Sequence, residues 1–150
     1  MLNTDYKDML QCLQDNKVYF LIVGAYALAA YGYPRATGDF DIWVEPSIEN
    51  SKKILTSLIS FGAPVLGLTE DTFVEKGVIF QIGVAPCRID LITHIDGVEF
   101  ADAYASQEKI EIENITLPFI SKENLIKNKK STGRAKDLVD VKYLEENKDA

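Results

Sequence analysis

Apolar positions at Met9, Leu10 and Leu13, with polar residues between them, predict a helix over Tyr6 to Asp15. Val18 to Val23 is a short continuous apolar run rich in β-formers and bounded by Gly24. It reads as a strand buried on both faces. The Ala-rich stretch Ala25 to Tyr31 predicts a tightly packed helix, stopped by Gly32 and Pro34. Asp39 to Val44 alternates with period two and predicts a second strand. Pro46-Ser47 opens a helix with apolar positions Ile48, Ile54, Leu55, Leu58 and Ile59, closed by Gly62.

Further along, Thr69 to Glu75 predicts a short helix with Thr69 as N-cap. Val78 to Val84 and Arg88 to His94 are β-rich runs separated by Ala-Pro-Cys, a connection short enough for a hairpin. Glu99 to Ser106 is weakly helical. Lys109 to Ile112 and Ile115 to Leu117 flank the turn Glu113-Asn114 and read as a second hairpin. Ser121 caps a helix through Lys130, and Gly133 separates it from a last helix over about Arg134 to Glu146. No internal repeat or linker interrupts the chain. The expectation is one domain over 1–150, α/β or α+β, a small mixed sheet flanked by helices with a helical C-terminus.

A chain of 150 residues buries roughly two thirds of its unfolded surface, and 47% hydrophobic residues exclude disorder as the dominant state. Cys12 and Cys87 are too few and too far apart for a disulfide scaffold, and are expected as buried, reduced hydrophobes. No apolar run approaches the roughly 20 residues of a membrane span. Met1 to Asp8 lacks the apolar region of a secretion signal, so a cytoplasmic location is expected.

The net charge of −7 argues against a nucleic-acid coat protein or an anionic-membrane binder, yet it is uneven. Residues 1–120 hold 8 Lys/Arg against 17 Asp/Glu, and residues 121–150 hold 8 against 6. Lys122 to Lys136 carries six positive charges opposed only by Glu123. An acidic body with one basic patch suits a small anionic ligand better than a long polyanion, although such a patch is also the ordinary composition of a solvated helix face.

The candidate chemistry centres on Gly38-Asp39-Phe40-Asp41. Strand alternation places Asp39, Asp41 and Trp43 on one face, with the two carboxylates roughly 6.6–6.8 Å apart along it. They could turn toward one divalent ion; burying that face without a cation would be costly. Upstream, the strand ending at Gly24 leads into a helix start, where free N–H groups favour phosphate. Downstream, Arg88, Asp90, Ile92 and His94 share a strand face, giving a third acid flanked by a cation and the chain's single histidine. Three carboxylates with phosphate imply Mg²⁺ or Mn²⁺ rather than zinc. His94 is a candidate base or orienting group, or simply a strand-end histidine. Trp43 and Tyr26 are candidates for stacking on a base or acceptor, or ordinary core aromatics.

An apolar strand into Gly24-Ala25, then Gly38-Asp39-Phe40-Asp41, then a lone Asp90 on a later strand, resembles the DNA polymerase β-like nucleotidyltransferase superfamily. Tyr33 to Val44 looks like its small bacterial branch, which includes lincosamide-type antibiotic nucleotidyltransferases and AbiEii-like toxins. Leu125-Ile126, Lys129 and Arg134 to Asp140 are similar to that branch's closing helices. The resemblance implies a metal-dependent transfer of an NMP from an NTP to a hydroxyl, with Asp39, Asp41 and Asp90 as metal ligands. Asp90 would also help deprotonate the acceptor. Gly24 and Ala25 would hold the β- and γ-phosphates through backbone N–H groups, and Lys129, Arg134 and Lys136 would add charge. Thr37, Gly38 and Arg35 would line the nucleotide cleft, Arg35 being equally readable as a surface charge, and Asp137 and Asp140 would orient the cations rather than touch metal. Ala25 departs from the family's Gly or Ser and removes a hydroxyl contact to phosphate.

The acceptor stays open: a small hydroxylated molecule such as an antibiotic, a tRNA end, or a side chain of a partner protein. With no separate acceptor domain, a homodimer interface or a partner would supply specificity. The alternatives are a catalytically inactive nucleotide-binding or antitoxin-like scaffold of the same fold, and a toxin that modifies RNA ends.

Overall fold

The computed structural model describes residues 2–33, 39–84 and 86–146. Its elements run α1 (Thr4–Asp15), β1 (Phe20–Ile22), α2 (Gly24–Ala30), β2 (Asp39–Val44), α3 (Ile48–Phe61), β3 (Ile79–Ile82) and β4 (Arg88–Ile92). Then follow α4 (Phe100–Ala105), β5 (Glu108–Ile112), β6 (Ile115–Phe119), α5 (Lys122–Thr132) and α6 (Ala135–Glu146). The strands form one mixed sheet in the order β3-β4-β2-β1-β6-β5. β2 runs parallel to β4 and antiparallel to β1, and β1 runs parallel to β6. The α/β class, the mixed sheet and the helical C-terminus are therefore as the sequence pattern predicts.

Local chemistry accounts for the boundaries. Asn3, Ser47 and Ser121 each accept a backbone N–H in the first turn of α1, α3 and α5, satisfying a donor that the helix start leaves free. α3 and α5 end on Gly62 and Gly133 in the left-handed conformation. One expected helix is absent: Thr69 to Glu75 forms turns. There the Thr72 hydroxyl accepts the Thr69 N–H at 2.8 Å, and the Thr69 hydroxyl accepts the Asp71 N–H at 3.2 Å. These short side-chain bonds satisfy the backbone locally and compete with helix formation.

The central strands β1 and β2 carry the core, with Leu21, Ile22, Phe40, Ile42 and Val44 fully buried. Phe40 stacks on Tyr6 of α1 (centroids 4.7 Å) and meets Tyr26 of α2 edge-on. On the opposite face of β2, Trp43 is buried against Phe100 of α4. Its indole N–H is the buried side-chain donor without a hydrogen-bond partner among the described residues. Trp43 is thus a core residue, whereas Tyr26 is half-buried in the aromatic cluster around Phe40. Cys12 is half-buried and Cys87 exposed, both as free thiols, so the expectation of two buried cysteines does not hold: Cys12 is only partly covered, and Cys87 sits in the turn before β4, outside the core.

Candidate active site

The parallel register of β2 and β4 builds the site. It sets Asp39 beside Arg88 and Asp41 beside Asp90, so four side chains of alternating strand positions share one face of two adjacent strands. Asp39, Asp41 and Asp90 each offer an oxygen such that these atoms all lie within 4.8 Å of one another. Asp39 and Asp41 are half-buried and Asp90 is buried. Among the described residues this is the cluster of acids able to hold a metal ion.

Two features manage the electrostatics of three crowded carboxylates. Arg88 donates from Nε to Asp90 Oδ1 at 2.8 Å and from Nη2 to Asp90 Oδ2 at 3.1 Å, and its Nη2 also pairs with Asp39 Oδ2 at 2.9 Å. This two-pronged, charge-assisted contact uses the planar fork that distinguishes arginine from lysine. The surrounding acids push the guanidinium pKa still higher. Asp41 is raised to about 6, first by burial and then by the charges of Asp90 and Asp39, with Arg88 and Lys129 only partly offsetting them. A carboxyl this reluctant to ionise alone is the electrostatic counterpart of a cation site. The donors are all oxygens, which fits Mg²⁺ or Mn²⁺ and does not suit zinc.

Gly24 brings the end of β1 against the acids. The Val23 N–H bonds the Asp41 carbonyl at 3.2 Å, and Gly24 follows with a φ of +68° at the start of α2. A β-carbon there would overlap the Asp41 carboxylate. Val23 provides no side-chain cap for the first turn of α2. α2 spans only seven residues, so its dipole adds less to an anion site than a longer helix would.

Asp39 and Asp41 open onto a cleft of about 520 Å³. Gly24, Ala25, Asp39 and Asp41 line it together with Lys129, Arg134 and Lys136. Helix α5 is held over the cleft by Asn128, which donates to the Asp96 carbonyl at 2.9 Å. Lys129 is buried and bonds Asp140 at 3.0 Å and Asp137 at 3.4 Å across the α5–α6 turn. Asp137 also accepts from Thr132 and Arg134, each at 2.7 Å. Burial works to raise the Asp137 pKa, but those two hydrogen bonds together with the Lys129 and Arg134 charges pull it below the usual range. Asp137 and Asp140 thus orient the cations, in line with the expectation from their one-turn spacing. His94 reaches the cleft wall, where it is exposed and 3.4 Å from Asp96.

The structure therefore brings together Asp39, Asp41, Asp90, Gly24, Ala25, Lys129, Arg134 and Lys136. Thr37, Gly38 and Arg35 lie outside the described residues. Arg88 is the participant that sequence reasoning undervalued. Strand parity placed it on the acidic face, but its bond to Asp39 depends on a β2–β4 pairing that no local pattern announces.

The sequence matches no protein-family model and no curated protein. Solved structures do match. A crystal structure of a candidate nucleotidyltransferase from Thermotoga maritima superposes with a TM-score of 0.61 at 17% identity, covering 97% of this chain and 96% of that one. The lincomycin-bound lincosamide antibiotic adenylyltransferase LnuA superposes with a TM-score of 0.60 at 13% identity, covering 97% of each chain. At such identities the likeness resides in the backbone, and over nearly its full length this chain has the nucleotidyltransferase fold.

Proposed function

We propose that the protein is a metal-dependent nucleotidyltransferase that moves an NMP from an NTP to a hydroxyl of its acceptor. One observation carries the reading: three carboxylates lie within 4.8 Å of one another, and two of them, Asp39 and Asp41, line a cleft that Lys129, Arg134 and Lys136 also line. That combination matches a nucleotide triphosphate, whose anionic tail needs both cationic side chains and a divalent ion.

Asp39, Asp41 and Asp90 would hold Mg²⁺ or Mn²⁺, which when bound supplies charge neutralisation of the triphosphate and acidification of the attacking hydroxyl. Lys129, fixed by Asp137 and Asp140, and the exposed Arg134 and Lys136 would grip the phosphates. The backbone at Gly24-Ala25 offers N–H donors to the same cleft. The acceptor oxygen attacks the α-phosphorus, its proton passes to a carboxylate of the acidic cluster, and the α–β bridging bond breaks with pyrophosphate leaving. Asp90 is the carboxylate we assign to that proton. Catalysis is mainly positioning and electrostatics.

The acceptor is proposed first as a small hydroxylated molecule. The cleft suits a nucleotide plus a compact partner, and one structural neighbour is an adenylyltransferase acting on a lincosamide antibiotic. A tRNA end, disfavoured by the −7 charge, and a partner protein are the further arms of the acceptor screen. A homodimer is the arrangement to check if small acceptors fail.

The test is a thermal-shift panel with ATP, GTP, CTP and UTP, each with Mg²⁺, Mn²⁺ or EDTA, on wild type and on Asp39→Asn/Asp41→Asn. A nucleotide at 100 times its Kd stabilises by roughly 2.7 kcal/mol, a shift of several degrees. A metal-dependent shift with one nucleotide, abolished in the double variant, supports the reading. No shift with any nucleotide in a cooperatively melting protein overturns it in favour of an inactive scaffold.

A further inference from the structure

We infer that Arg88 is a resident counterion of the acidic cluster, which holds the metal-free site together and must leave Asp90 when a divalent cation binds. The inference rests on the metal-site reading given above and concerns how that site is filled.

The register places Arg88 directly across from Asp39 and two residues from Asp90 on the same strand face. The fork takes both oxygens of Asp90 and one of Asp39. Asp39 and Asp41 line the cleft, but Asp90 does not. Three acids are close enough to share one ion, yet the third is committed to an internal cation. Three carboxylates against one guanidinium leave two negative charges, so the cluster remains attractive to a cation. An ion bound by all three acids would stand against the guanidinium, where like charges repel. Arg88 has a flexible stem, and its side chain is 28% exposed, so it can withdraw without unfolding the strand. Once withdrawn, it carries a free guanidinium beside the site of an anionic substrate. The site thus starts charge-compensated and exchanges one cation for another.

The experiment titrates Mn²⁺ alone, without nucleotide, and reads free Mn²⁺ by electron paramagnetic resonance. Arg88→Gln removes the competing charge and should bind Mn²⁺ at least about fivefold more tightly than wild type. Arg88→Lys cannot reproduce the fork and should fall between them, which also covers the case of Arg88→Gln failing to melt cooperatively. The gain should disappear in Arg88→Gln/Asp90→Asn, because the ligand released is Asp90; a gain that survives there overturns the assignment. Equal or weaker Mn²⁺ binding in folded Arg88 variants, with wild type binding measurably, overturns the inference and leaves the metal site standing. No Mn²⁺ bound by wild type or any variant overturns both.

Discussion

Gly24 and Asp41 are packed so closely that residue 24 has no room for a side chain: a β-carbon there would overlap Oδ2 of Asp41 and lie 3.1 Å from its Cγ. The glycine at the end of β1 thus serves two constraints at once. Its φ of +68° turns the chain into α2, and its missing side chain lets the backbone pass beside a half-buried carboxylate.

Gly24→Ala should therefore destabilise the protein by more than the about 1–2 kcal/mol that a left-handed alanine costs on backbone grounds. In an Asp41→Ala background, which removes the Oδ2 and Cγ contacts and leaves only the Cβ at 3.2 Å, most of the extra penalty should be lost. Urea denaturation of the four proteins in this cycle measures the coupling. Identical penalties in both backgrounds would show that the close approach carries no energy.

The raised pKa of Asp41 makes a signed prediction for the metal-free protein. Its folded value of about 6 lies above its ordinary value of 3.8, so its contribution to stability is most favourable below about 4. That contribution is lost as pH rises through 6. Asp41→Asn should thus raise the melting temperature in EDTA at pH 7 and leave it little changed at pH 4. With allowance for partial exposure the gain is on the order of 1–2 kcal/mol. Asp137 behaves in the opposite sense: its lowered pKa contributes stability above about 4 that is lost on acidification. A variant less stable than wild type at neutral pH would contradict the electrostatic account of Asp41.

Lys129 joins two buried carboxylates, so its removal takes a cation from Asp140 and one of two cations from Asp137, which keeps Arg134. Lys129→Met should cost about 3–5 kcal/mol, the usual consequence of deleting one partner of a buried ion pair. Lys129→Arg should retain most of the stability. A cost of Lys129→Met under about 1 kcal/mol in chemical denaturation would mean that the triad is solvated rather than structural.

Lys136 offers a cleaner probe of the cationic wall, because it is exposed at the cleft and lies outside the Lys129 triad. Lys136→Ala should leave the melting temperature of the free protein within a degree or so, as most surface substitutions do. It should weaken the affinity for the preferred nucleotide with Mg²⁺ by about fivefold, a loss of about 1 kcal/mol. Calorimetric titration separates that outcome from an unchanged affinity, which would place the phosphates elsewhere.

Much of this protein was legible along the chain because its signals are local. The period-two run Asp39 to Val44 put both acids on one face, and the serines at 47 and 121 with the glycines at 62 and 133 marked helix ends. The capping and left-handed conformations seen there require only neighbouring residues. The Thr69 to Glu75 segment shows the limit even of local reading, since its threonine hydroxyls satisfy the backbone in turns instead of a helix. What the sequence could not determine is which strand lies beside which, because pairing joins residues dozens of positions apart through backbone groups common to every residue. Only the parallel β2–β4 register decides that Arg88 bridges Asp39 and Asp90 and that Asp41 bears the unrelieved repulsion, and only the antiparallel β1–β2 pairing decides that Gly24 must stay bare. The residue types supplied the chemistry; their arrangement as one site came from strands meeting in space.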